Sequence, residues 1–183
     1  MKKHLFILFI AWGCQSLAQT TFRTETGEIQ FDASTPLEDI YAINSKVNFA
    51  LTAEGEIAVL LLVKEFDFKR KLMQEHFNEN YIESDKYPKA YLTGNLVAFD
   101  PEDISEEPRT YSLSGELTLH GVTRPIYTEL TIDREGSFLV LQTEFAIKTE
   151  DHKIKVPRIL FKKVAKEVRV RVLAQLMETK EAE

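Results

Sequence analysis

The sequence predicts an all-β fold of antiparallel strands, arranged either as a sandwich or as a barrel. Three observations carry this prediction: apolar and polar residues alternate over much of the chain, turn residues separate the alternating runs, and no strand-then-helix repeat occurs. The chain has 183 residues, 44% hydrophobic and 28% charged, which is enough to bury the core of one ordinary domain. We count about eight or nine strands and one short inserted helix.

The first eighteen residues are predicted to be a secretory signal peptide that is not part of the fold. Lys2 and Lys3 form a basic start, and the apolar run 5–12 is too short to span a bilayer. Residues 16–18, Ser-Leu-Ala, supply the small-x-small pattern that a signal peptidase cleaves. We therefore expect a single domain over residues 19–183, located in the periplasm or outside the cell.

Cys14 leaves a second interpretation of the signal open. It is the only cysteine and follows Gly13, so a lipoprotein signal is the alternative, and a lipidated Cys14 would tether the protein to a membrane. Ala11 and Trp12 are poor residues to precede a lipoprotein cleavage site, which favours plain cleavage after Ala18. The cleaved chain would contain no cysteine, and hence no disulfide and no thiolate chemistry.

Period-two alternation predicts the strands. The clearest case is 109–119, in which apolar side chains from Tyr111 to Leu119 share one face. Half-buried strands are predicted in the same way for three further segments: 47–51, 126–132 and 168–172. The runs 57–63 and 138–147 are apolar on both faces, or nearly so, and we expect a helix, a loop or a ligand to cover the second face of each.

One segment has the spacing of a helix instead of a strand. Within residues 69–80, Leu72 and His76 are four positions apart, and so are Met73 and Phe77. Few residues here are β-branched, and asparagines near residue 80 suit a helix end. We predict one short amphipathic helix inserted between strands.

Several classes of function are disfavoured by composition and by missing motifs. A formal charge of −6 argues against a nucleic-acid partner, because phosphate binding requires a basic face. No nucleophile elbow, phosphate loop or dinucleotide-binding glycine pattern occurs, so we predict no catalytic residues and no cofactor. His76, His120 and His152 lie far apart and have no companion cysteine, so we interpret them as structural residues and predict no metal site.

The remaining signal is apolar, and it favours a container. A barrel of about eight strands can hold one small or slender apolar molecule. A helix that carries Met73 and Phe77 would suit the lining of such a cavity, because methionine adapts to irregular shapes and aromatic rings give a large contact area. The alternative is that these residues form an ordinary filled core.

The residues 115–126, Gly-Glu-Leu-Thr-Leu-His-Gly-Val-Thr-Arg-Pro-Ile, closely resemble the strand–turn–strand signature of the YceI family. Upstream, 66–68, Met73, 76–77 and 87–90 follow the family's order of Phe, Met, His-Phe and Tyr-Pro-x-Ala. The resemblance covers nearly the whole chain after the signal.

This resemblance implies a lipocalin-like antiparallel β-barrel, exported to the periplasm, that binds a long isoprenoid or a similar amphiphilic lipid in its lumen without catalysis. The chain departs from the family near its start. Residues 26–31 read Thr-Gly-Glu-Ile-Gln-Phe, where many members carry an Asp and then a His-Ser pair.

We therefore predict that the protein holds an isoprenoid or another apolar or amphiphilic lipid for storage or transport. The predicted ligand-binding residues are Phe49, Val59, Leu61, Phe66, Phe68, Met73, His76, Phe77, Tyr91, Leu117, Leu119, Leu130 and Phe145. The polar groups expected at the headgroup are Tyr87, Tyr91, His76 and Arg124.

Two alternatives stay open. A barrel with a filled core could act as a module that binds a protein or an envelope surface. A hydrolase or isomerase acting on an apolar substrate would instead need at least two titratable groups that converge in a cavity.

Overall fold

The computed structural model describes residues 20–156 and 164–180, so the predicted signal peptide and Cys14 lie outside the described residues. The described part contains nine strands: β1 Thr20–Asp32, β2 Tyr41–Thr52, β3 Glu56–Leu62, β4 Asp67–Phe68, β5 Lys89–Leu96, β6 Arg109–Leu119, β7 Val122–Glu135, β8 Phe138–Lys148 and β9 Glu167–Lys180.

The strands form a closed antiparallel barrel. Hydrogen bonding follows the order β1-β9-β8-β7-β6-β5-β3-β2, and β2 pairs with β1 again, so eight strands complete the ring. The two-residue strand β4 pairs only with the start of β2. Closure removes the unpaired edges that an open sheet would expose. The predicted all-β, lipocalin-like barrel is thus confirmed, and the sandwich is not adopted.

The inserted helix is present where the four-residue spacing predicts it. Helix α1 covers Lys71–His76 and continues into a π-helical turn over Phe77–Tyr81, in which the Ile82 N–H donates to the Phe77 carbonyl at 2.9 Å. The side chains of Met73 and Phe77 pack against the core, as their shared stripe requires.

Sequence alternation located some strands better than others. Strand β6 matches the predicted 109–119, with Tyr111 and Leu113 buried and the alternating Ser112 and Ser114 exposed. Strands β1 and β5 were not predicted. In β1 the alternation is diluted by polar residues, and the pairing with β2 shifts register on both sides of Gly27.

The expectation of a covered second face is wrong for β3. Leu60 and Leu62 are 39% and 46% exposed, so the outward side chains of this run meet solvent. Exposed apolar side chains are common on protein surfaces. In the other run, 138–147, both faces are covered at the start, because the consecutive residues 139–141 are all buried.

Glycines allow a close approach at two places, between β5 and β6 and at the β6–β7 turn. Gly94 and Gly115 face each other in register, and a Cβ on Gly115 would lie 2.4 Å from the Thr93 carbonyl oxygen. The β6–β7 turn consists of His120 and Gly121, both with positive φ, which is the pattern of a tight two-residue hairpin. A Cβ on Gly121 would meet the Tyr87 ring at 2.5 Å.

The two ends of the barrel differ. At the closed end lie the turns 53–55 and 136–137 and the loop 97–108. Arg134, near the end of β7, holds this loop by donating to the carbonyls of Pro101 and Ile104. Phe99 and Ile104 of the loop are buried. At the open end lie the loops 33–40, 63–88 and 120–121 and the described part of the segment between β8 and β9.

Candidate functional site

A cavity of about 540 Å³ occupies the barrel next to its open end. This volume is in the range of pockets that hold small molecules. The lining comes from inward-facing strand residues, from α1 and from the open-end loops, and it is almost entirely apolar. Nine predicted ligand-binding residues line it: Leu61, Phe66, Phe68, Met73, His76, Phe77, Leu117, Leu119 and Phe145.

An aromatic cluster forms one wall of the cavity. The ring of Phe31 lies 5.1 Å from that of Phe66, 5.6 Å from that of Phe68 and 5.4 Å from that of Phe77. Phe68 and Phe77 are also 5.1 Å apart. The rings meet at edge-to-face or tilted angles that aromatic side chains prefer, so they present a continuous apolar surface to the cavity.

Four predicted residues lie away from the cavity. Phe49 and Leu130 are buried in the filled part of the core, and the half-buried Val59 packs against that core. Phe49 packs over Gly27, where an added Cβ would lie 2.3 Å from its ring. Period-two alternation predicts which side chains point into the barrel but not how far along the barrel axis they lie. These three residues point inward but lie beyond the cavity.

Tyr91 is placed on the outer surface, where it is 46% exposed. Its neighbours in β5, Ala90 and Leu92, are buried and point inward, so alternation sends Tyr91 outward. The structure therefore does not bring Tyr91 to the cavity.

Several lining residues were not nominated from the sequence. Ile29 and Phe31 belong to β1, which was itself missed, although their alternation with Gln30 is a readable signal. Val168 and Val170 were assigned to a strand but not to the lining. Ala90 gives no signal by composition, because a small residue leaves space instead of filling it.

Among the described residues, the charged groups that reach the cavity come from open-end elements. Arg70 forms an ion pair with Glu38, which joins the start of α1 to the loop 33–40. His76, at the end of α1, and Tyr81 are the other ionisable residues that the described part of the chain contributes to this rim. The cavity thus combines an apolar interior with a polar rim, which suits a ligand that has an apolar chain and a polar head.

A second polar cluster joins three open-end segments. The His120 Nδ1–H donates to the His152 carbonyl at 3.0 Å, and His120 Nε2 lies 2.8 Å from Glu83 Oε2. His152 Nδ1 in turn donates to the Val122 carbonyl at 3.1 Å. Both ring nitrogens of His120 thus face oxygen acceptors. The hydrogen bond with His120 lowers the pKa of Glu83 below its ordinary value.

Two residues expected at the headgroup make contacts in this structural cluster. The Tyr87 ring packs edge-on against the His120 ring at 4.4 Å. Arg124 Nε donates to the Asp151 carbonyl at 2.9 Å. Among the described residues, His120 and His152 thus have structural partners, while His76 is the histidine at the cavity rim.

Two features are absent from the described part of the chain. Within 20–156 and 164–180, no three His, Cys, Asp or Glu side chains are grouped closely enough to hold a metal ion. No helix in these ranges has the length and hydropathy needed to cross a bilayer.

A sequence model of the YceI-like domain matches residues 7–176. The chain belongs to the YceI family. A UPF0312 protein of Photorhabdus laumondii is 25% identical over 133 residues, which covers 70% of this chain and 57% of that protein. A UPF0312 protein of Pseudomonas savastanoi is 28% identical over 135 residues, covering 73% and 59%. The chain therefore spans less than two thirds of the length of these relatives.

Solved structures of low sequence identity share the YceI barrel. A polyisoprenoid-binding domain from Saccharophagus degradans has a TM-score of 0.73 at 16% identity, covering 90% of this chain and all of that one. Burkholderia cenocepacia BcnA has a TM-score of 0.68 at 15% identity, covering 82% and 95%. At such identities the likeness shows the fold alone.

Proposed function

We propose that this YceI-family protein encloses the apolar chain of an isoprenoid or a similar amphiphilic lipid in its barrel cavity, without catalysing a reaction. The observation that carries the proposal is the 540 Å³ apolar cavity, open at one end and rimmed there by Arg70, Glu38 and His76. The polar head would lie at this rim and the chain inside. The polyisoprenoid-binding domain of Saccharophagus degradans, which has the same fold, supports this class of ligand.

The size of the cavity limits how much of a chain it can enclose. If a methylene-sized group takes about 30 Å³, the share of one water molecule in the liquid, the cavity holds about 18 such groups. That corresponds to a chain of three isoprene units together with part of a headgroup. A longer polyisoprenoid would extend through the open end.

The expected affinity is moderate. Burial of roughly 300 Å² of ligand surface at about 25 cal/mol per Å² gives an upper limit of about 7–8 kcal/mol. That limit corresponds to a dissociation constant of about 1–10 μM. Lost translational freedom and ordering of the chain weaken binding further, so micromolar affinity requires an added polar contact at the headgroup. A polar contact between the headgroup and Arg70 or His76 would strengthen binding.

The cavity also disfavours the two alternative functions, an interaction module with a filled core and a hydrolase or isomerase. An interaction module with a filled core would leave no space of this size next to the aromatic cluster. A hydrolase would need titratable groups beside the reacting bond, whereas the charged groups of this cavity belong to open-end elements and two of them are paired with each other. Both observations favour a container.

Storage or transport by an exported protein is part of this proposal. The exported form would begin at residue 19 after signal cleavage, or at a lipidated Cys14 that tethers the protein to a membrane. The intact mass of the protein purified from its native envelope distinguishes these two forms.

The proposal is tested by extracting the purified, natively expressed protein with organic solvent and analysing the extract by mass spectrometry. The expected result is one equivalent of an apolar or amphiphilic lipid per protein molecule. The absence of any stoichiometric lipid after expression in several hosts would contradict the proposal.

A further inference from the structure

The open end of the barrel carries exposed apolar side chains beside the cavity entrance. Leu37 is 64% exposed at the tip of a turn in which the Glu38 N–H donates to the Thr35 carbonyl. Leu72 is 62% exposed on α1 and also borders the cavity. The Arg70–Glu38 ion pair joins the two segments that carry these leucines. Two exposed leucines therefore flank one polar contact at the entrance.

Three basic residues precede Leu72 in the chain. The run 69–71 reads Lys-Arg-Lys immediately before Leu72, and all four side chains are exposed. A short segment with basic and large apolar side chains, exposed together, has the chemistry of segments that lie in the interface of an anionic bilayer. Leucine side chains enter the acyl boundary, and lysines contact lipid phosphates.

The charge of the molecule is unequal between its ends. The described closed-end residues 52–56, 97–109 and 133–138 contain two basic and nine acidic side chains, a formal charge of −7. The described open-end residues, in 32–41, 63–88, 119–124, 148–156 and 164–167, contain ten basic and twelve acidic side chains, a formal charge of −2. An anionic surface would repel the closed end far more strongly, so the molecule would approach it with its open end first.

We propose that the open end docks on the surface of an anionic lipid bilayer, with Leu37 and Leu72 inserted and Lys69 and Lys71 against the phosphates. This inference rests on the proposed function, because docking would place the cavity entrance where an amphiphilic ligand leaves or enters the bilayer. A ligand could then exchange between bilayer and cavity without its chain crossing water.

The test is flotation of the purified protein with phosphatidylcholine vesicles that contain or lack phosphatidylglycerol. We expect binding only when phosphatidylglycerol is present, and weaker binding at high salt. Lys69→Glu/Lys71→Glu should lower the vesicle partition coefficient at least about 25-fold, since each basic residue at an anionic surface contributes about fivefold. Leu37→Ser should lower it roughly fivefold to tenfold.

Val97→Ser is the matched control for Leu37→Ser. Val97 is 62% exposed, close to the value for Leu37, but lies at the closed end. We expect it to leave vesicle binding unchanged. Thermal melting of each variant verifies that the barrel is folded. Vesicle binding that is absent in the wild type, or equally affected by the Leu37 and Val97 variants, would overturn the proposal.

Two further measurements distinguish bilayer docking from ligand binding in the cavity and from self-association. Titration of a fluorescent fatty acid without vesicles reports the cavity alone. Retained cavity binding with no vesicle binding overturns docking only, whereas vesicle binding without cavity binding overturns the container function and leaves docking in place. If sedimentation shows a dimer that Leu37→Ser dissociates, the surface is covered by a second copy of the chain and the docking proposal is overturned.

Discussion

Replacing Ala90 with phenylalanine would fill part of the cavity from the wall of the barrel. Ala90 is buried in β5, faces the cavity and pairs with Leu61 of β3. The added phenyl ring has six carbon atoms, about one third of the roughly 18 methylene-sized groups that the cavity can hold. The ring would therefore displace a substantial part of any bound chain.

The loss of affinity follows from the displaced contacts. Six methylene-sized groups at about 0.8 kcal/mol each give an upper limit of about 5 kcal/mol. A chain can shift toward the open end and recover part of this, so we expect a loss of at least about 2 kcal/mol, a roughly 30-fold weaker dissociation constant. The assay is fluorescence titration with a dansyl-labelled fatty acid, repeated by displacement with an unlabelled isoprenoid.

Ala58→Phe is the control for this substitution. Ala58 lies on the exposed face of the adjacent strand β3, so the same change there adds a ring outside the barrel. We expect Ala58→Phe to bind the probe as the wild type does. Equal affinities for the Ala90 and Ala58 variants, with both proteins folded, would show that the ligand does not occupy the lumen.

Three further predictions concern stability. The hydrogen bond with His120 lowers the pKa of Glu83, so the stability that this contact contributes is present above the ordinary carboxyl pKa and is lost as the pH falls through the lowered value. The melting-temperature difference between wild type and Glu83→Gln should therefore shrink as the pH falls through this range and vanish in acid, with Glu79→Gln as the control variant; a difference that persists in acid would contradict the contact. Gly115→Ala should lower the free energy of unfolding by about 1–3 kcal/mol in urea titrations, because the Cβ would clash with the β5 backbone; an unchanged midpoint would contradict the close approach. Leu176→Ala, in the fully buried core, should cost about 2–5 kcal/mol, whereas Leu173→Ala on the outer face of the same strand should cost much less; equal costs would contradict the assigned faces.

The sequence predicted the strands whose alternation is unbroken. In β6, apolar and polar residues alternate from Tyr111 onward, and the turn at Gly121 ends the pattern, so the bounds could be predicted. Strand β1 contains several polar residues and a shifted register around Gly27, and β5 is short and contains Gly94. Their pairing depends on partners distant in the chain, which local alternation does not reveal.

The composition of the cavity wall was more predictable than its extent. Met73, Phe77 and Phe145 could be nominated because apolar residues at regular spacing share a face. Phe49 and Leu130 share that inward face but lie where the barrel is filled, and only the three-dimensional stacking of side chains separates the filled part from the open part. The role of Ala90 as a space-leaving residue is likewise visible only once its neighbours are placed.

The polar rim also required the structure. Arg70 and Glu38 are far apart in sequence, and their pairing results from the closure of β1 on β2 and from the position of α1. Conversely, Tyr87 and Arg124 belong to recognisable motifs, yet they contact His120 and the Asp151 carbonyl. A motif identifies residues that the fold requires without distinguishing a structural role from ligand contact.

Anomalous diffraction can show whether the lumen of the barrel holds an apolar chain. The measurement is the position of bromine in crystals of the protein grown with an alkyl chain brominated at its end. We expect one bromine peak inside the cavity that Leu61 and Phe145 line. A peak confined to the outer surface, or a wild-type lumen closed by its own side chains, would contradict it.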